Sequence, residues 1–199
     1  MALLEDSVTG EQKEFITEPF TNYNMIVIDK SLPNASYISL VNTNVLRSGP
    51  ATGRNYTANV TATEMQLNTP DRIFSVKASG AVSQKYFSDR KADTGHNLAL
   101  SGGKTGGIYT ARYDLQLISD DYDPNDMGYL RRNNLFSNLL TFGYNLYTPA
   151  GPFYSSRNSL SVSYDRLYAP SAFNDLRIIL KSSSVFNNFC TQTMVPLRL

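Results

Sequence analysis

The stretch DDYDPNDMGYLRRNN, residues 120–134, concentrates side chains that could do chemistry, because it places four aspartates around a proline and a glycine, followed by two arginines. Its D-x-D-x-N at residues 121–125 matches the start of a calcium-binding loop. That loop then needs glycine where Asp126 stands and a bidentate acid where Arg132 stands. A carboxylate pair for glycoside hydrolysis needs two acids on facing, rigid elements. Four acids on one loop do not predict that arrangement, so we predict no catalytic and no metal-binding residue.

The same residues favour a surface loop of defined shape between two strands. Pro124 and Gly128 set the path of the backbone, and Asn and Asp side chains form local turns. We expect the two following arginines to pair with the aspartates, and Tyr129 and Leu130 to fold back and anchor the loop. The predicted structured-loop motif comprises Tyr122, Pro124, Asn125, Asp126, Gly128, Tyr129, Leu130, Asn133 and Asn134.

Other residues with ligand-binding chemistry are isolated in the sequence. SGGKTGG at 101–107 looks like a phosphate-binding loop, but Leu98 stands where its first glycine is required, and a predicted strand follows it. His96 is the single histidine and Cys190 the single cysteine, so we predict neither a metal cluster nor a disulfide within the chain. The formal net charge of +1 gives no electrostatic basis for binding nucleic acid. We therefore predict no cofactor and no nucleic-acid partner.

Alternation of apolar and polar residues dominates the remaining chain and predicts β-strands. YTANVTAT, which begins at Tyr56, and YTARYDLQL, which begins at Tyr109, both alternate throughout. Turn-forming residues separate such segments, so the sequence predicts an all-β, antiparallel up-and-down meander of eight or nine strands. The strands are predicted near residues 20–30, 35–47, 55–67, 72–86, 95–101, 107–119, 135–147, 153–167 and 175–187.

The connectors favour a transmembrane β-barrel. Short connectors, such as 31–34 and 68–71, alternate with longer ones, such as 87–94 and 120–134. In a meander, alternate connectors lie at opposite ends of the sheet, and one end with long loops is typical of outer-membrane barrels. The predicted strands also reach the roughly 10 residues that such a barrel needs. The chain would then form a small closed barrel or one arc of a larger barrel.

The two strand faces differ in composition. The polar face is rich in Ser, Thr and Asn, which suits a hydrated barrel interior, and the other face is apolar. Residues predicted to contact lipid, or the core if the protein is soluble, are Ala58, Val60, Val76, Ala78, Tyr113, Leu115, Phe142, Tyr144, Leu160 and Val162. Tyr23, Tyr56, Tyr86, Tyr109, Tyr147 and Tyr168 would form aromatic girdles, although tyrosine also simply favours strands.

Two segments carry a resemblance to a known family. EPFTNYNMIVIDKSLPNASYISLVNTNVLRSG at 18–49 and YDPNDMGYLRRNN at 122–134 resemble uncharacterised outer-membrane proteins of Gram-negative bacteria. The second segment matches the family pattern Y-N-P-N-D-[LM]-G-[FY]-L-x-x-N-N, except that Asp123 stands where Asn is usual. In that family a secreted module similar to family 9 carbohydrate-binding modules precedes a long β-barrel domain of unknown function. The likeness covers nearly all of this chain.

The resemblance implies a bacterial outer-membrane location, with the lipid bilayer as partner and glycans bound only through a module that these residues lack. It supplies no catalytic residues. Since no signal peptide is evident, we interpret residues 1–199 as one β-barrel domain segment of a longer chain, truncated at both ends. Two alternatives stay open, namely a soluble β-sandwich or barrel that binds a ligand, and a hydrolase housed in a barrel.

Overall fold

The computed structural model describes residues 2–5, 10–15, 20–48, 55–187 and 191–194, and within these ranges all regular structure is β-strand. The strands are β1 (Ala2–Glu5), β2 (Gln12–Phe15), β3 (Phe20–Leu32), β4 (Ser36–Ser48), β5 (Tyr56–Asn68), β6 (Phe74–Phe87), β7 (Asp93–Lys104), β8 (Tyr109–Ile118), β9 (Leu135–Leu146), β10 (Phe153–Arg166), β11 (Phe173–Phe186) and β12 (Thr191–Met194). The described residues contain no helix that is long and apolar enough to span a membrane.

Ten of the strands form one antiparallel sheet in the order β12-β11-β10-β9-β8-β7-β6-β5-β4-β3, and β1 and β2 pair separately. Each strand of the large sheet therefore pairs with its neighbours in the chain, so the predicted antiparallel meander and its nine long strands are confirmed. Among the described residues β3 pairs only with β4, and β12 only with β11. The sheet is consequently open at both edges and is not closed into a barrel.

The turns follow from local residue chemistry. Asn34 and Ala35 adopt φ angles of 60° and 56° in the tight turn between β3 and β4, a conformation that Asn tolerates better than most residues. Gly151 adopts a φ of 56° between β9 and β10, where the absence of a side chain removes the steric cost. These positions reverse the chain within a few residues, which keeps successive strands adjacent.

The register defines two faces of the sheet. Directly opposed residues of antiparallel strands share a face, so the register places one row on what we call the apolar face: Leu67, Val76, Gly102, Tyr113, Leu140, Val162 and Ile178. Eight of the ten residues predicted to contact lipid or core lie on this face. The opposite face, which we call the polar face, carries most of the charged residues of the strands.

The prediction for Ala58 and Val60 is wrong. Ala58 lies opposite Lys85, and Val60 lies opposite Ser83, so both project from the polar face. The polarity of the two faces is locally inverted here, because the apolar face carries Asn44, Asn59 and their neighbours in the same part of β4 and β5. β5 alternates between the two faces as predicted, but its side with Ala58 and Val60 belongs to the polar face of the sheet and not to the apolar face.

The connectors divide unequally between the two ends of the sheet. Residues 33–35, 69–73, 105–108 and 147–152 connect strands at what we call the turn end. Residues 88–92, 119–134 and 167–172 lie at the opposite end, the loop end. Among the described connectors only 119–134 is long, so the predicted asymmetry rests on this loop alone.

Candidate functional site: a strap across the polar face

Residues 119–134, which we call the strap, leave β8 and fold over the polar face at the loop end. Ser119 continues the pairing of β8, since its N–H donates to the His96 carbonyl at 2.9 Å and its Oγ accepts from the His96 N–H at 2.9 Å. A Cβ atom at Gly95 would lie 2.2 Å from the Tyr122 N and Cα atoms. The strap backbone therefore rests directly on β7, at a position that only glycine permits.

A small core lies between the strap and the sheet. Val45 is 1% exposed, Ala58 4% and Tyr122 5%, and these three account for most of the buried apolar side chains that the structure describes. Ser83 is also buried, and its Oγ accepts a hydrogen bond of 3.0 Å from the Asp123 N–H. The local apolar character of the polar face is thus explained, because the strap shields these strand residues from water.

Asp126 fastens the tip of the strap to three strands. Its Oδ1 atom lies 2.6 Å from Arg47 Nη1 on β4 and accepts a 2.8 Å hydrogen bond from the Tyr56 hydroxyl on β5. Its Oδ2 atom lies 3.2 Å from Lys85 Nζ on β6. The Asp126 side chain is only 7% exposed. We call these four residues, together with Asp123 of the strap, which also pairs with Lys85, the latch.

The electrostatics of the latch favour the charged form of its acid. Burial alone would raise the pKa of the Asp126 carboxyl, but the Tyr56 hydroxyl and the two cations outweigh burial and hold that pKa below its ordinary value. The Asp123 carboxyl lies 2.6 Å from Lys85 Nζ, and its pKa is lowered in the same way against an opposing effect of burial. At neutral pH the latch therefore contains two anions and two cations.

The predicted shape-setting residues make the expected local contacts. The Asn125 N–H and side-chain amide both donate to Asp123 Oδ1, at 3.0 and 2.7 Å, and Asn125 Oδ1 accepts from the Leu130 N–H at 2.6 Å. The Pro124 carbonyl accepts from the Met127 N–H at 3.3 Å. A Cβ atom at Gly128 would lie 3.1 Å from that carbonyl oxygen. These contacts curl the tip into a compact turn that presents Asp126 to the sheet.

The two asparagines at the end of the strap fix its base. Asn133 donates from its side-chain amide to the Asp120 carbonyl. Asn134, at a φ of 54°, donates its N–H to the Ser119 carbonyl at 3.2 Å. Its side-chain amide also bonds the Ala169 backbone twice, at 2.7 and 2.8 Å. The strap is thereby tied to the neighbouring loop-end connector.

Two predictions about the strap are wrong. The anchor predicted for Tyr129 and Leu130 is wrong for Tyr129, which is 85% exposed, whereas Leu130 is half-buried. Tyr122 is the buried aromatic residue of the strap instead. The cations that pair with the aspartates come from β4 and β6, whereas Arg132 contacts Asn174 at 3.3 Å. Arg131 and Arg132 are near the aspartates in the chain, but the carboxylates of Asp123 and Asp126 face the sheet, where Arg47 and Lys85 lie.

Arg47, Tyr56, Lys85 and Gly95 were not predicted as site residues. The close approach at Gly95 could have been predicted from the sequence, because glycine inside a strand pattern often marks a close approach of another backbone. Tyr56 was predicted to join an aromatic girdle, but its ring faces the latch, with the Arg47 guanidinium 4.5 Å from its centre. The roles of Arg47 and Lys85 could not be predicted from the residues around them, because their partners come from a loop far along the chain.

Further charged groups occupy the polar face away from the strap. Glu64 accepts from the Tyr37 hydroxyl and lies 2.9 Å from Lys77 Nζ. Arg177 joins Asp165 and Asp175, at 2.9 and 2.8 Å. No group of three or more His, Cys, Asp or Glu side chains within the described ranges could hold a metal ion.

A cavity of about 380 Å³ lies beside the latch, between the strap and the sheet. The sheet lines it with Tyr56, Ser83, Lys85, Phe87 and, at the start of β7, Asp93, and the β6–β7 connector lines it with Arg90. Asp120, Asp121, Asp123 and Asn133 line it from the strap. The cavity leaves Lys85 accessible from one side of the latch.

Comparison with known proteins gives a family and no function. A family model described as Domain of unknown function (DUF5916) matches residues 1–195. No curated protein matches the chain, and no solved structure matches it. Since the family model covers nearly the whole chain, the chain belongs to this family, as the resemblance to a domain of unknown function implied.

Proposed function

We propose that this member of the DUF5916 family forms an arc of a β-barrel in the bacterial outer membrane, with its apolar face against lipid. The observation that carries the proposal is an exposed apolar band that crosses all nine long strands. Its exposed members include Ile28, Leu40, Leu67, Val76, Leu98, Tyr113, Phe142, Leu160 and Leu180. Soluble monomers rarely expose a contiguous apolar surface larger than a few hundred Å², so this face requires an apolar partner.

The dimensions of the sheet fit a bilayer. The nine long strands have 10 to 14 residues, which at about 3.3 Å per residue is enough to cross the apolar layer at the tilt of a barrel strand. Their two faces differ as barrel strands do, apolar towards lipid and polar towards the interior. Strand length and face polarity thus support the same arrangement.

Aromatic residues of the apolar face lie near both ends of the strands. Phe74, Tyr109 and Tyr144 are exposed at the turn end, and Phe20, Tyr86 and Tyr164 at the loop end. Aromatic rings at both membrane–water interfaces are typical of transmembrane proteins. Of the tyrosines predicted for girdles, Tyr86 and Tyr109 lie on the apolar face, whereas Tyr23 and Tyr56 lie on the polar face.

The inverted part of β4 and β5 indicates where the bilayer would end. Asn44, Asn59, Gln84 and Thr94 form a row on the apolar face near the loop end, and the strap covers the opposite side of the same strands. We infer that this part of the wall projects beyond the lipid into water, with the strap as its inner lining. The loop end would then be the outer side, as in other outer-membrane barrels.

The open edges of the sheet require further strands. A strand edge cannot face lipid, because its unpaired N–H and C=O groups would lose their hydrogen bonds with water. We therefore propose an arc of a larger barrel, completed by other strands. Glycan binding through a module outside these residues stays a prediction. The soluble alternative requires a second layer on the apolar face, and no described element packs there.

Extraction of membranes tests the proposal. The natural gene product should sediment with the outer membrane and stay in the pellet after washing with alkaline carbonate. Leu115→Arg places a charge on the apolar face and should reduce assembly into the membrane, with a cost of about 2–4 kcal/mol at mid-bilayer. Gln116→Arg, its neighbour on the polar face, is the matched control and should assemble like the parent. Release of the parent protein by carbonate would overturn the proposal.

A further inference from the structure

The latch divides its charges between two parts of the fold. Arg47 and Lys85, on β4 and β6, supply the positive charges, and Asp123 and Asp126 of the strap supply the negative charges. Among the described residues, every carboxylate within ion-pair distance of either cation comes from the strap. If the strap lifts, the sheet therefore keeps two cations on one face without a counter-charge.

The cationic half of the latch is built on rigid elements. Tyr56 lies between the two cations, with the Arg47 guanidinium 4.5 Å and the Lys85 ammonium 5.5 Å from the centre of its ring. All three residues stand on consecutive strands, and each is paired with a residue of a neighbouring strand. A guanidinium, an ammonium and a hydroxyl that converge on one point are the donors that bind carboxylate and phosphate groups in proteins.

We propose that Arg47, Lys85 and Tyr56 form a binding site for a compact oxyanion, the carboxylate or phosphate group of a ligand, and that Asp126 is an internal ligand that occupies this site when the strap is closed. An external oxyanion compensates the same two cations and accepts from the same hydroxyl. It therefore replaces Asp126, and binding of the anion is linked to opening of the strap.

The tip of the strap can leave without disturbing its base. Tyr122 and Asn134 hold the two ends of the strap through burial and through backbone hydrogen bonds. Between them, Met127 and Tyr129 are exposed. The polar contacts with strands that the described residues show are those of the latch, the bond from the Asp123 N–H to Ser83, and the bond from Arg132 to Asn174 on β11. A segment with so few buried contacts opens at low cost, so the latch decides whether the tip is closed.

The neighbouring cavity explains why the anion and the closed strap exclude each other. Four aspartates line that cavity and repel an anion while the strap is closed: Asp93, Asp120, Asp121 and Asp123. Three of them belong to the strap. Asp93 remains on β7 and is neutralised by Arg90, whose Nη2 lies 2.8 Å from it. Opening of the tip removes Asp123 and Asp126, the carboxylates that compensate Arg47 and Lys85, whereas Asp120 and Asp121 stay with the base of the strap.

Trypsin cleavage within the strap tests the proposal with inorganic phosphate as probe. Arg131 and Arg132 are exposed trypsin sites next to the tip. Phosphate should raise the rate of cleavage there severalfold and with saturation, relative to sodium chloride at equal ionic strength. Cleavage of a short arginine peptide in the same buffers corrects for effects on trypsin. No response of the parent protein either to phosphate, at any concentration up to the solubility limit, or to vesicles that contain phosphatidylglycerol would overturn the proposal.

Two variants separate an anion site from a purely structural ion pair. Asp126→Asn removes the internal ligand, so it should be cleaved about tenfold faster without phosphate and should bind phosphate about tenfold more tightly in calorimetry. Asp114→Asn, which removes one carboxylate of the polar face outside the strap, the latch and the cavity, is the control and should behave like the parent. Arg47→Gln combined with Asp126→Asn should abolish phosphate binding. Fast cleavage of Asp126→Asn without any phosphate binding would mean a structural lock only and would overturn the proposal.

The same experiment with lipid vesicles distinguishes the two possible sources of the oxyanion, a lipid head group and a soluble ligand. Opening by vesicles that contain phosphatidylglycerol, with no opening by free phosphate, would support the anion site and identify its ligand as a lipid head group. Opening by free phosphate and no further effect of the vesicles would identify a soluble ligand. These measurements need only the strap and the polar face, so they are independent of the proposed membrane location.

Discussion

At the scale of single residues, Gly95 shows how the lack of one methyl group allows the strap to lie on the sheet. The strap backbone passes so close to β7 that any Cβ there would overlap backbone atoms rather than a movable side chain. A glycine in a strand normally weakens the strand. At Gly95 the close packing of the strap on β7 offsets that loss of stability.

Gly95→Ala should destabilise the protein by about 1–3 kcal/mol, because the strap must shift to admit the new methyl group. Gly102→Ala, on the same strand, is the control. Its Cβ would meet a Val76 side-chain atom at 3.5 Å, an ordinary contact, and the change should cost no more than about 0.5 kcal/mol. Urea unfolding followed by circular dichroism measures both, and equal effects of the two variants would show that the strap does not rest on β7.

The latch carboxylate predicts a dependence on pH. Since the pKa of Asp126 is lowered in the folded protein, its contribution to stability is full above the unfolded pKa of about 4 and is lost as the pH falls through the lower folded value. Asp126→Asn should therefore be less stable than the parent by about 1–3 kcal/mol at pH 7, and the difference should vanish in strong acid. A difference that grows as the pH falls from 5 to 3 would contradict this sign.

At the scale of elements, the strap is held by its ends and its latch rather than by its most exposed aromatic residue. Tyr122→Ala should cost about 3 kcal/mol, because it removes a buried ring from the small core. Tyr129→Ala, the same substitution on the same strap, should change stability by no more than about 0.5 kcal/mol. Unfolding midpoints of the two variants measure the contrast, and a larger loss for Tyr129→Ala would restore the anchor that the sequence predicted.

The elements could be predicted because each rests on local patterns. Alternation located all nine long strands, and Pro, Gly and Asn located their turns. The relation between elements could not be predicted, because alternation does not say which face of one strand joins which face of the next. Ala58 is the example, since its apolar neighbours in β5 suggested the apolar face, while the strap that buries it comes from a distant part of the chain.

At the scale of the whole molecule, the apolar face changes character along the strand direction. Thr94 and Leu98 lie on the same strand and face, and both are exposed, but Thr94 belongs to the polar row near the loop end. If the bilayer ends between them, Thr94→Cys should react with a membrane-impermeant maleimide on intact cells and Leu98→Cys should not. Both variants are made with Cys190→Ser to remove the natural thiol. Equal labelling of the two cysteines would contradict this position of the membrane boundary.

The reach of Asp126 has a consequence for the order in which the chain folds. Every strand of the large sheet pairs with a neighbour in sequence, so the sheet can grow one hairpin at a time, and such local contacts form quickly. The bond between Tyr56 and Asp126 instead joins residues 70 positions apart. It can form only after β5, β6, β7 and β8 have assembled in register, because a slip by one residue turns the partners to opposite faces. Closure of the strap therefore stabilises only those chains in which four successive strands have paired in the correct register.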